Sequence, residues 1–84
     1  MLFLIEYDRS EGCLVNLRTF DDSEGHGAEE SRLELELSLN RRGIEHEVVL
    51  LEAASEDALR KTHRRYFENL AELASLQISG NPNL

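Results

Sequence analysis

The chain has 84 residues, 17 of them acidic and 9 basic, which gives a formal net charge of −8. This length allows one small domain, and an apolar content of 40% is sufficient for a core, which argues against a disordered chain. The negative charge opposes attraction to nucleic acid or to an anionic membrane, and a single cysteine excludes an intramolecular disulfide and any CxxC zinc or redox motif.

The N-terminal residues argue against a signal peptide. The apolar run after Met1 covers only residues 2 to 5, with no basic region before it and no small-residue cleavage site after it. No segment approaches the roughly 20 apolar residues that a membrane-spanning helix requires. Together with the single Cys13, these features predict a soluble, cytoplasmic protein.

The N-terminal segment predicts a β-hairpin. Residues 2 to 8 (LFLIEYD) and residues 13 to 20 (CLVNLRTF) are rich in β-forming side chains, and the short connection between them contains Gly12. Glu6 interrupts the apolar first strand. We expect its carboxylate to pair with Arg18 of the second strand, near one end of the sheet.

Residues 27 to 43 (GAEESRLELELSLNRRG) carry two conflicting signals. The alternation in LELELSL is typical of a half-buried strand, whereas the residue types, mainly Leu, Glu, Ala and Arg, favour a helix. Acidic residues near the start, two arginines at the end and Gly43 beyond them are typical of helix termini. We therefore predict a helix, with a strand as the alternative.

A helix at this position would be apolar on two sides. At about 100° per residue, Leu33 and Leu37 share one side, and Leu35 and Leu39 lie almost opposite. Such a helix needs two neighbours. The sheet of its own chain is one, and a second subunit would supply the other.

The C-terminal half predicts a third strand and a second helix. Residues 44 to 54 (IEHEVVLLEAA) have the apolar centre of a buried strand. Residues 55 to 77 predict a helix, because Ser55 is a suitable N-cap and acidic residues occupy the first turn. We expect residues 1–78 to form a single domain and residues 79–84 to form a flexible tail.

The predicted order is β-β-α-β-α, an α+β domain in which two helices pack on one face of a small three-stranded sheet. The first and third strands are apolar on both faces, which is typical of central strands that are covered on both sides. With both helices on one face, the other face would stay exposed, and small proteins commonly bury such a face by dimerising. The pattern therefore predicts a homodimer.

Four of the nine basic residues lie close together, at Arg60, Lys61, Arg64 and Arg65. On a helical wheel they fan out over the surface, and acidic residues stand three or four positions away from them. We interpret the cluster as solvated, paired charge. Weak nucleic-acid binding through these four residues is one alternative, and a surface for a small anion or an acidic partner is another. The acidity of the remaining chain weighs against nucleic acid.

His63 and Tyr66 lie on the apolar stripe of the second predicted helix, three residues apart. The simpler interpretation is a buried histidine that hydrogen-bonds to the backbone or to Tyr66. The alternative is a ligand-binding or minor enzymatic cleft lined by His63, Tyr66 and Arg64, with acid–base chemistry near neutral pH. The sequence assigns no nucleophile or paired carboxylate to such a cleft.

The sequence predicts no metal site and no cofactor. The candidate metal ligands are His26, His46, His63 and Cys13, and none of them stands at a typical ligand spacing such as HxxxH. The GHG at residues 25 to 27 lacks the other residues of a phosphate-binding loop.

Residues 47 to 70 (EVVLLEAASEDALRKTHRRYFENL), together with FLIEYDR near the N-terminus, resemble a group of short bacterial proteins of unassigned function. The shared block runs from Glu47 to Phe67 and includes EVVLL at its start and TH-x-RYF at its end. The resemblance implies a bacterial single-domain protein and favours a helix over residues 27 to 42. It brings no activity, cofactor or partner, so the sequence predicts a homodimeric interaction or accessory module without catalytic activity.

Overall fold

Two hairpin strands, a long helix, a third strand and a short helix follow one another along residues 1–68, which are the residues that this computed structural model describes. The predicted order β-β-α-β-α and the α+β class are confirmed. No helix within this range is long and apolar enough to cross a membrane. The elements are β1 (Leu2–Asp8), β2 (Cys13–Phe20), α1 (Gly25–Arg41), β3 (Glu47–Glu52) and α2 (Glu56–Thr62), with 3-10 turns at Asp22–Glu24 and Arg64–Tyr66.

The sheet is antiparallel and has the order β2-β1-β3, so β1 lies in the centre. Gly12 supplies the positive φ of 66° in the turn between β1 and β2, where the Asp8 carboxylate accepts hydrogen bonds from the amides of Ser10 and Glu11. A bulge in β2 leaves Val15 without a partner on β1. The prediction of a central third strand is wrong, because a three-stranded sheet has one central position and β1 occupies it.

Residues 27 to 41 lie within α1, so the helix prediction is confirmed and the strand alternative is wrong. Leu39 is buried and Leu35 packs beside it against the sheet, whereas Leu33 and Leu37 are 57% and 49% exposed. The helix is thus apolar on two sides, as predicted, and its outer side carries two exposed leucines.

The two helices pack on opposite faces of the sheet, and the prediction that both lie on one face is wrong. Successive residues of a strand point to opposite faces. Phe3 and Ile5 of β1 pack with Leu59 of α2, whereas Leu4 packs with Ala28 of α1. Because β1 is apolar on both faces, each face requires a cover of its own. The uncovered face from which a homodimer was inferred is therefore occupied by α2 and the 3-10 turn after it.

The second helix begins as predicted but ends earlier. The Ser55 hydroxyl oxygen accepts a hydrogen bond from the amide of Ala58 at 3.1 Å, as an N-cap does. The continuous helix predicted over residues 55–77 is wrong at its centre. The helix ends at Thr62, and the backbone of His63 leaves the helical region before the 3-10 turn begins.

The early end of α2 brings Tyr66 to the sheet, where its ring meets that of Tyr7 edge-on at 5.3 Å between centroids. Burial of an aromatic ring is worth about 1.5–3 kcal/mol, which exceeds the few tenths of a kcal/mol by which helix propensity favours continuation at each residue. Residues 69–77 of the predicted helix, and the predicted tail at 79–84, lie outside the described residues.

Candidate functional site

The basic residues that follow the start of α2 are engaged by acidic residues nearby. Arg60 Nη2 lies 2.9 Å from Glu56, and Arg64 Nη2 lies 3.2 Å from Glu68, both at the i,i+4 spacing of helical pairs. Lys61 is exposed to solvent. The positive charge that these arginines offer to a phosphate is therefore reduced by their own neighbours.

Arg65 belongs to a polar cluster that joins the 3-10 turn to the sheet. The Tyr66 hydroxyl donates a hydrogen bond to Glu47 Oε2 at 2.5 Å, and Arg65 Nη2 donates to the same oxygen at 2.7 Å. The Arg65 guanidinium also lies over the Tyr66 ring, 4.2 Å from its centroid. One carboxylate thus fixes a tyrosine and an arginine, and this cluster is an anchor for the chain segment after α2.

The charges of this anchor agree with its geometry. The hydrogen bond from Tyr66, followed by that from Arg65, lowers the pKa of Glu47 below its ordinary value of 4.5, against an opposing effect of burial. Burial first, and the hydrogen bond to Glu47 second, raise the pKa of Tyr66 above its ordinary value of 10.0. At neutral pH the carboxylate is therefore ionised and the phenol is neutral, which is the arrangement that the hydrogen bond requires.

The three residues of the predicted cleft do not converge on one point. His63 lies half-buried between α2 and the 3-10 turn, with its ring 6.5 Å from that of Tyr66 between centroids. The Tyr66 hydroxyl is directed at Glu47, whereas the Arg64 side chain is 74% exposed and directed at Glu68. The cavities described below are lined by other residues.

A second polar cluster lies at the same end of the sheet, on the face that α1 covers. His46 Nδ1 lies 2.6 Å from Glu6 Oε2, and His46 Nε2 lies 3.6 Å from Asp8 Oδ2. Glu6 is 9% exposed and is the buried charged residue of the described chain. The imidazole thus gives the buried carboxylate of Glu6 a hydrogen-bond partner inside the fold.

The predicted pair of Glu6 and Arg18 is wrong. Arg18 stands opposite Leu4 in the hairpin, and its guanidinium lies over the Phe20 ring at 5.1 Å from the centroid. The partner of Glu6 is His46, which is 40 residues away in the chain. Only the pairing of β3 with β1 brings the two together, so local sequence patterns contain no direct signal for the contact. The isolated Glu6 within an apolar strand was the one sign that a partner was needed.

His46 lines two open depressions. One of about 560 Å³ lies at the hairpin turn and is bordered by Arg9, Ser10, Glu45 and Glu47. The other, of about 300 Å³, lies between α1 and β3 and is called here the edge groove. Its lining residues are Glu36, Leu39, Asn40, Ile44, His46 and Val48. Residues of β1 and β2 take no part in the edge groove, which places it on the outer side of β3.

The His46 cluster is poorly suited to metal binding or to catalysis. The two carboxylates approach different ring nitrogens, so they do not present a common set of ligands with the imidazole. Within residues 1–68, no group of three or more His, Cys, Asp or Glu side chains is arranged to hold a metal ion. The other candidate ligands lie apart: His26 pairs with Glu30 on α1, and Cys13 begins β2.

The outer edge of β3 faces no other strand of the described chain. The N-terminal amine of Met1 and the carbonyl of Ala53 are hydrogen-bonded at 3.0 Å, and the amide of Ala53 bonds to the carbonyl of Met1 at the same distance. Hydrogen-bonded pairs alternate along an antiparallel ladder. Given the register of β1 and β3, the backbone groups of Val48, Leu50 and Glu52 therefore point outward, away from β1.

Comparison with known proteins adds no functional assignment: no protein family model, no curated protein and no solved structure matches this chain. Two features of the described residues are then open to a partner. They are the exposed leucines of α1 and the outer edge of β3.

Proposed function

We propose that this protein is a small, self-associating interaction module without catalytic activity. The observation that carries the proposal is the outer side of α1, where Leu33 and Leu37 are 57% and 49% exposed while the opposite side of the same helix packs on the sheet. A helix that is apolar on both sides is best stabilised by two neighbours, and the sheet is only one.

The exposed area of the two leucines allows an estimate of the free energy that they contribute to association. Full burial of a leucine stabilises by about 1.5–3 kcal/mol, so roughly half of that remains available at Leu33 and at Leu37. Four such side chains in a dimer would contribute on the order of 4 kcal/mol. This is only the lower end of the roughly 4–15 kcal/mol that association costs. The leucines therefore need further contacts from elsewhere in the interface.

The chemistry of the polar clusters supports binding over catalysis. Both ring nitrogens of His46 face carboxylates, and the Tyr66 hydroxyl is engaged by Glu47 and Arg65, so neither is an unengaged acid or base. The nucleic-acid alternative has less support, because Arg60 and most of its basic neighbours are paired within the chain.

We further propose that the protein acts in a bacterial cytoplasm. The single cysteine suits a reducing compartment, and the resemblance to short bacterial proteins supports the source. A net charge of −8 suits a protein that stays in solution in spite of its exposed leucines.

The mass of the full-length chain in solution tests the proposal. Light scattering at micromolar concentration should give twice the mass of one chain, which is 9.6 kDa. Leu33→Gln combined with Leu37→Gln should weaken the dimer without unfolding the helix, because both side chains are exposed. Glu34→Gln is the matched control on the same helix and should leave the dimer intact. A wild-type chain with the mass of a monomer at every accessible concentration would reject self-association.

A further inference from the structure

We propose that two copies of this chain associate by antiparallel pairing of β3 with β3 about a twofold axis next to Val49. The result is one continuous sheet with three strands from each copy, six in all. This inference rests on the proposed self-association and specifies which surface performs it. It follows from the alternation of inward and outward backbone groups along β3, from the charges at the strand edge and from the position of α1 above the sheet.

The backbone groups that β3 directs outward can pair with the same groups of β3 in a second copy. Val48, Leu50 and Glu52 direct their amide and carbonyl groups outward, as the exchange of bonds between Met1 and Ala53 establishes. A twofold axis next to Val49 places Val48 of one copy opposite Leu50 of the other. Both residues present outward groups, so each such pair can exchange two hydrogen bonds.

Charge favours the antiparallel arrangement over the parallel one. The same axis places Glu52 of one copy opposite His46 of the second copy, and the symmetry creates this contact twice. Glu52 is exposed, and it faces no acidic side chain across this pair. A parallel arrangement in register would instead place Glu52 against Glu52 and Glu47 against Glu47, which is unfavourable for like charges.

The position of α1 fits the pairing as well. This helix packs against Leu4 of β1 and against Val48 and Leu50 of β3, so its axis runs above the gap between the two strands. Strands lie about 4.8 Å apart, so the axis of α1 would be about 5 Å from the twofold axis. The two copies of α1 would then be about 10 Å apart, the upper end of the distance at which helices pack. The edge groove lies on this side and would be closed by the second copy.

The other open edge of the sheet is a poorer surface for pairing. β2 carries a bulge at Val15, which interrupts the ladder, and its exposed Asn16 and Arg18 alternate with apolar residues. β3 has a regular register with β1 and a run of four apolar residues, Val48 to Leu51. Edge pairing of a second copy is therefore assigned to β3.

Amide hydrogen exchange of the full-length chain, measured by NMR at high and at low protein concentration, tests the pairing. The amides of Leu50 and Glu52 should exchange slowly in the concentrated sample and quickly after dilution into the monomer. The amides of Val49 and Leu51 donate to β1 and should be slow in both samples. A dimeric sample in which Leu50 exchanges as quickly as in the monomer would overturn β3 pairing while leaving self-association intact.

A pair of proline variants provides the second measurement. Leu50→Pro removes an outward amide and no bond to β1, so the fold should persist while the dissociation constant of the dimer rises at least about tenfold. Thr19→Pro is the control, because the amide of Thr19 points outward from the edge of β2. It should leave the dimer unchanged. Loss of the dimer in the Thr19 variant alone would assign the interface to β2, and a wild-type monomer would reject both proposals.

Discussion

Replacement of Tyr66 by Phe removes one hydroxyl from a partly buried hydrogen bond to a carboxylate and leaves the ring in place. In the structure this hydroxyl donates to Glu47 Oε2, and Arg65 donates to the same atom. A hydrogen bond to a charged group contributes about 1.5–3 kcal/mol. Glu47 keeps its arginine and is partly accessible to water, so the lower part of this range applies. We expect Tyr66→Phe to lower the free energy of unfolding by about 1–2 kcal/mol at neutral pH.

The pH dependence distinguishes this account from a loss of packing. The folded-state pKa of Glu47 is lowered, first by the hydrogen bond from Tyr66. The resulting stability is present above the ordinary value of 4.5 and is lost as the pH falls through the folded-state pKa. The difference between wild type and Tyr66→Phe should therefore shrink in acid. The pKa of Tyr66 is raised in the folded state. The stability that the neutral phenol contributes is therefore present below its ordinary pKa of 10.0, and it is lost as the pH rises through the folded-state pKa.

Urea unfolding followed by circular dichroism, at neutral and at acid pH, measures the loss in the free energy of unfolding and its dependence on pH. Tyr7→Phe is the matched control, because this ring packs against that of Tyr66 and its hydroxyl does not bond to Glu47. The control should show little pH dependence in its difference from wild type. If Tyr66→Phe loses the same free energy at both pH values, or none at either, the hydrogen bond to Glu47 does not have the role assigned to it.

Two further substitutions test the packing and the capping of α2. Leu59→Ala removes a fully buried side chain between α2 and β1, and urea unfolding should show a free energy of unfolding lower by about 2–5 kcal/mol. Leu33→Ala, on the outer side of α1, should lower it far less in the monomer. Equal losses in the two variants would contradict the assignment of the core. Ser55→Ala should lower the free energy of unfolding by about 1 kcal/mol, because the amide of Ala58 loses its hydrogen-bond acceptor. Ser55→Asn should keep most of this stability, because asparagine is also a good N-cap. A Ser55→Ala variant as stable as wild type would show that the cap contributes nothing.

The order of the elements could be predicted from the sequence because it depends on local signals. The residue types between 27 and 43 favoured a helix over the strand that their alternation suggested, and α1 is the result. Ser55 followed by acidic residues marked the start of α2 correctly. The two apolar sides of α1 were also visible, since they depend only on the angle between successive helical residues.

The assignment of helices to faces could not be predicted in the same way. An apolar pattern on both sides of β1 shows that both faces need a cover, but it does not indicate which element covers which face. One of the two sequence-based arguments for a homodimer, the exposed sheet face, fails because α2 occupies that face. The proposal of self-association rests on the two apolar sides of α1, which the sequence indicates, and on the edge of β3, which only the folded chain reveals.

The candidate sites divide along the same line. The sequence drew attention to His63 and Tyr66, which are close in the chain, and a continuous helix would have placed them on one stripe. The structure ends that helix at Thr62 and turns the Tyr66 hydroxyl to Glu47, because burial against the sheet is worth more than continued helix. The sequence indicates His46 only as a candidate metal ligand, and it gives no sign of the contact with Glu6, which is distant in sequence.

The sequence by itself determined the local features of this protein: the element types, the caps, the turn at Gly12 and the amphipathic sides of each segment. These follow from interactions between residues a few positions apart. Tertiary structure alone decided the face that each helix covers, the partners of Glu6 and Glu47, and the strand edge that remains open. These features depend on contacts between segments that are distant in sequence. The packing of the whole chain selects these contacts, and no local sequence pattern indicates them.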